Sequence, residues 1–158
     1  MSKQKKLRGL KEKVMAVHRD DIFKDGEWQG LNERDFVKLL DVVRQKHVFL
    51  PRRDIEDNPE WQQIIPFGVF VAQKHIFSYV KASGSSEKRL VGERFVGIAG
   101  HLRHSDVVDY GILWQWFDRE WNEEIGYEGS PFVWPIGVIH DTSRPVSACH
   151  LGFVFLLY

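Results

Sequence analysis

The sequence is short of several things. It holds one cysteine, Cys149. A single thiol excludes an intrachain disulfide framework and any cysteine-rich zinc site, and it fits a reducing compartment such as the cytoplasm. No apolar run approaches the ~20 residues needed to cross a bilayer, so no membrane partner is expected. The opening stretch MSKQKKLRGLKEK lacks the apolar centre of a signal peptide. Net charge is also missing, because Lys+Arg and Asp+Glu stand at 22 each. That balance leaves no global electrostatic footprint for nucleic acid or an anionic surface, and no specific nucleic-acid partner is expected. No internal repeat is visible.

What is present is apolar and aromatic. The 158 residues include 6 Trp and 11 Phe, enough to build one domain with a real core. Residues 1–13 are basic with little to bury, and read as a solvated tail. VMAVHR (14–19) reads as a strand. In LNERDFVKLLDVVRQKHVFL, Phe36, Leu39, Leu40 and Val43 recur at helical spacing and Asn32 can cap. Residues 14–60 therefore form a strand–helix extension, closed by the polar connector PRRDIEDNPEWQQ. The character then changes. IIPFGVFVA, HIFSYVKA, RFVGIAG, FVWPIGVIHD and CHLGFVFLLY are rich in β-branched and aromatic residues and read as strands. Residues 107–125 look helical. The arrangement is mixed α/β with a largely sheet core. The final strand, GFVFLLY, is apolar to its last residue, which fits either a fragment or an end buried against a partner such as a second copy.

The stretch REWNEEIGY (119–127) carries three glutamates and one arginine. On a helix, Leu113, Trp116 and Phe117 form an apolar stripe. Glu120 and Glu124 continue that stripe, with Glu123 beside it. A solvated acidic face normally opposes the apolar stripe instead. Acids three and four apart repel one another, and partial burial raises the cost of their charge. A bound divalent cation would relieve both. Oxygen-only ligands favour Mg²⁺, with Mn²⁺ as a substitute. The competing reading is a short acidic cluster of the ordinary kind, with no ligand.

REWNEEIGY also resembles the second half of the Nudix box, Arg-Glu-apolar-any-Glu-Glu-any-Gly-apolar, at every specified position. Further matches are Ile65-Pro66-Phe67, Ala99-Gly100-His101, Pro145-Val146 and His150-Leu151-Gly152. They look like a bacterial and phage subgroup of Nudix proteins described as phosphoesterase-like, over roughly residues 60–155. The resemblance implies an α/β/α sandwich around a mixed sheet, with residues 61–158 as the Nudix-like domain. It implies Mg²⁺-dependent hydrolysis of a diphosphate linkage in a nucleoside diphosphate derivative, by water attack on phosphorus. On that reading Glu120, Glu123 and Glu124 are metal ligands, one of them acting as base through water, and Arg119 orients them. Two departures stand out. The box wants Gly, five residues and Glu, then seven residues before Arg-Glu. Counting back from Arg119 puts Gly111 at the acid position. Counting forward from Gly100 puts Asp106 there, with a loop five residues longer before Arg119. The usual last helix after the final strand is also missing from the chain. These departures motivate an alternative, a non-catalytic Nudix-like nucleotide-binding or regulatory domain.

Other residues divide between two readings. His101, beside the turn glycine, could contact substrate or brace its loop. Lys81 and Arg89 flank the flexible stretch SGSSEK and could meet phosphates, or simply face water. His140 and His150 read as structural strand residues, and Cys149 as core. Trp114, Trp116 and Trp121 read as packing, with stacking on a base as the other option.

Overall fold

The computed structural model describes residues 12–80, 92, 94–106, 116–117, 119–120, 129 and 131–158. Strands β1 (Lys13–His18), β2 (Gly30–Asn32) and β3 (Val48–Pro51) precede a long β4 (Trp61–Ala72). After it come β5 (His75–Ile76), β6 (Ser78–Val80), β7 (Arg94–Val96), β8 (Ile98–Ala99), β9 (Val133–His140) and β10 (His150–Leu157). Helices α1 (Arg19–Ile22), α2 (Phe36–Lys46), α3 (Arg52–Ile55) and α4 (Pro145–Ala148) lie between them.

Among the described residues, eight strands form one sheet in the order β2-β9-β10-β4-β1-β3, with β5 and β8 also paired to β4. β10 runs parallel to β4, and the other pairs are antiparallel. The sheet is therefore mixed, as the strand-rich sequence suggests. β4 can serve so many partners because its apolar, β-branched run is long enough to reach them in turn. Pro66 has no N–H to give, which would weaken a central strand. It falls between the stretch paired to β1, which ends at Gln63, and the stretch paired to β8, which begins at Phe67.

The period-2 alternation of β10 sorts its side chains onto two faces. Leu151, Phe153, Phe155 and Leu157 join the main core with Met15, Val17, Leu39 and Val43. Phe36 of α2 meets Phe153 and Phe155 edge to face, each at 5.5 Å between ring centres. That face carries the helical stripe expected from the sequence. The opposite face carries His150 and Gly152, aligned with Gln63 and Ile65 of β4.

Some local expectations are corrected. The polar stretch from Pro51 to Gln63 is not a plain connector, because it contains α3 and the first residues of β4. Buried Gln63 explains part of this, since its amide donates to the Ile55 carbonyl and ties the two together. Asn32 does not cap α2. It accepts from the Arg34 and Asp35 N–H groups and braces the turn before the helix, whose N-cap is Asp35. Strands β6 and β7 form their own two-stranded sheet.

Candidate active site

The site begins at a glycine whose place any other residue could take only under strain. Gly97 has φ of +72°, and a Cβ there would lie 2.5 Å from the Gly68 carbonyl oxygen. L side chains avoid that backbone conformation, and the contact is with backbone, which cannot step aside. The turn delivers Ile98, fully buried, and then Ala99, Gly100 and His101. Leu102 anchors the far end, 1% exposed, with its carbonyl accepting from the Met15 N–H. A short 3₁₀ turn, His104–Asp106, follows.

The described helical residues approach from the core side. Trp116 and Phe117 are fully buried. Phe117 packs on the β4 backbone at Gly68, where a Cβ would come within 2.9 Å of its ring. That contact fixes the height of Phe117 over the sheet. Arg119 and Glu120 are helical as well and emerge beside Gly100.

Arg119 is the centre of a buried charge network. Its Nε donates to Asp106 Oδ1 at 2.9 Å and its Nη2 to Asp106 Oδ2 at 2.8 Å. This is the two-toothed geometry that guanidinium favours. Nη1 donates to Glu120 Oε1 and Nη2 also reaches the His101 carbonyl. Asp106 is 3% exposed and Glu120 6%. Burial works against the Arg119 charge, but hydrogen bonding to Asp106 and the charges of Glu120 and Asp106 outweigh it and push its pKa up. Asp106 itself is held by the Arg103 N–H. The Glu120 carboxylate rests on Gly100, where a Cβ would lie 2.5 Å from Oε1.

Of the residues singled out in the sequence, the structure thus joins Arg119, Glu120 and the turn at Gly100–His101. Asp106, considered as a stand-in for the missing box glutamate, lies on Arg119. Glu123, Glu124, Lys81 and Arg89 lie outside the described residues, as do Trp114 and Trp121. Among the described residues no three His, Cys, Asp or Glu side chains gather into a metal cage. The one described member of the glutamate set offers oxygen donors, which suit a hard cation.

A cleft of about 400 Å³ opens on the other side of Gly100. Ile65, Phe67, Ile139 and Gly152 floor it, from adjacent strands. His101, His150, Asp141 and Ser147 supply its polar groups. The His101 and His150 rings meet edge to face at 5.4 Å. Burial holds the His101 pKa well below the usual imidazole value, aided by the charge of Arg52, and burial lowers His150 too.

No family model matches the chain. Protein YmaB of Bacillus subtilis (strain 168) is 26% identical, over 94% of this chain and 76% of its own length. The crystal structure of Tm1382, a suspected Nudix hydrolase, matches at a TM-score of 0.75 and 26% identity, over 92% of this chain and 75% of that one. Fold, sequence and the buried Arg-Glu helix agree. The chain resembles a Nudix protein in fold and in sequence. Its architecture, a large mixed sheet with few helices, matches that of this neighbour, and no described helix is long and apolar enough to cross a membrane.

Sequence reasoning missed part of this neighbourhood. Asp141 and Ser147 carried no local signal, and His150 was assigned to structure alone. Only the strand register, which sets His150 and Gly152 on the open face, brings them beside His101. Cys149 is buried, as its apolar setting suggested, and burial raises its pKa.

Proposed function

We propose that this protein hydrolyses a diphosphate linkage in a nucleoside diphosphate derivative and depends on Mg²⁺, with Mn²⁺ able to replace it. What supports the reading most is a single arrangement, Glu120 buried on Gly100 with one oxygen held by Arg119, in a chain of Nudix architecture. Glu120, Glu123 and Glu124 are the proposed metal ligands. Bound there, the cation would supply charge neutralisation at the phosphate oxygens and a more acidic water.

The chain's own residues have distinct tasks in this reading. Arg119 cannot lose its proton, so it fixes the Glu120 rotamer at any working pH. Asp106 holds Arg119 from the other side and keeps the fork aimed. Gly100 leaves room for the carboxylate. Lys81 and Arg89 are proposed to meet phosphates, and His101 to contact substrate. One of the three glutamates accepts the proton from the attacking water.

The test is turnover of a panel of nucleoside diphosphate derivatives with Mg²⁺, with and without chelator. Chelation should abolish turnover, and Glu120→Gln should lower it by about 100-fold or more, at the upper end of losses seen around metal sites. Turnover that survives both rejects the reading. Nucleotide binding with no turnover on any member of the panel would instead establish a binding domain.

A further inference from the structure

The cleft beside Gly100 is not built for phosphate. Among the described residues that line it there is no lysine or arginine. It does hold a carboxylate, Asp141, kept ionised by hydrogen bonds from the Ser143 backbone and hydroxyl. An acceptor-only anion would meet a like charge and no donor cation. The floor is apolar, formed by Ile65, Phe67 and Ile139, and Gly152 keeps it flat. A Cβ at Gly152 would strike Ile139 Cγ2 at 2.6 Å.

The histidines at its wall carry the second observation. Nε2 of His101 and Nε2 of His150 are buried without a partner among the described residues. Buried nitrogens left unpaired are costly, and a native structure that keeps them needs a reason. A neutral imidazole has one nitrogen with a free lone pair, and the unpartnered Nε2 of His150 is the one placed to present it to a ligand.

We propose that this cleft receives the uncharged end of the substrate, and that His150 selects it by accepting a hydrogen bond from an amino or hydroxyl group on a flat, apolar body. The inference rests on the reading of Glu120 as the phosphate-facing side, since Gly100 walls both. Nε2 is shut off from the surface, so the ring turns slightly as the ligand's donor arrives. Side-chain adjustments of this kind commonly accompany binding. The donor group could belong to a base or to a sugar.

Equilibrium binding in the presence of chelator separates these sources and keeps metal and turnover out of the measurement. The probes are adenosine, inosine and 2′,3′-dideoxyadenosine. Adenosine should bind, and His150→Phe should weaken it at least tenfold. Loss of binding with inosine assigns the donor to the base amino group, and loss with the dideoxy compound assigns it to the sugar. Ile139→Trp is the second variant. Ile139 is 42% exposed, so the change fills the cleft without touching the core and should abolish binding even if His150→Phe fails to fold. The inference is overturned if no probe binds the wild type, or if adenosine binds the folded variants as it binds the wild type. Binding without hydrolysis on any substrate would reject the enzymatic reading alone. Hydrolysis with unaltered KM in both variants would reject the cleft alone.

Discussion

Arg119 donates from all three of its nitrogens, to Asp106, Glu120 and the His101 carbonyl. Neutralising Asp106 leaves the largely buried Arg119 charge with Glu120 as its one remaining ionic partner among the described residues. Asp106→Asn should therefore cost about 3 kcal/mol of stability, as read by urea denaturation. It should lower turnover as well, because the fork loses its aim. His101 gives a second prediction at this scale. Its folded pKa is depressed by burial, so protons bind the unfolded chain first. The stability it contributes is complete above the unfolded value near 6.5 and is lost as pH falls from there toward the folded value. Denaturation midpoints should drop between about pH 7 and pH 5, and His101→Gln should flatten that drop. The Arg119–Glu120 pair was legible because adjacent residues in a helix motif announce themselves. Asp106 was legible only by counting from Gly100. The alignment of His150 with His101 was not, because it depends on which strands pair.

The elements were read well where one property dominated. β4, β9 and β10 are long apolar runs, and α2 has a clear apolar face, so each appears near its expected place. Errors arose where tertiary contacts overrule local composition. The polar stretch after Pro51 looks like loop, yet Gln62 and Gln63 are fully buried and spend their amides on the Pro59, Ala148 and Ile55 carbonyls. The turn between β7 and β8 offers a sharp test. Gly97→Ala forces a left-handed backbone and a clash with the Gly68 carbonyl, so about 2 kcal/mol or more should be lost. Circular dichroism and melting should show the sheet intact but weakened. Unchanged stability would mean that Gly97 adopts another conformation.

For the whole molecule, the decisive quantity is what a bound cation does to the folding equilibrium. A ligand that binds only the native state raises stability by ~2.7 kcal/mol at a hundredfold excess over Kd. Mg²⁺ should therefore raise the melting temperature of the wild type, chelator should reverse it, and Glu120→Gln should abolish it. A shift that persists unchanged in the variant would place the cation elsewhere. The class of fold was open to reading from strand content, and the family resemblance from one short motif. The order of strands was not, since nothing local tells β10 to settle between β9 and β4.

That placement has a temporal consequence. β4 leaves the ribosome long before its parallel neighbour has been synthesised. Until β10 arrives, the Ile64–Phe70 stretch carries an unzipped edge of apolar backbone, a template for stray pairing. Such distant partners make assembly slow, so the nascent chain is most vulnerable to aggregation in that interval.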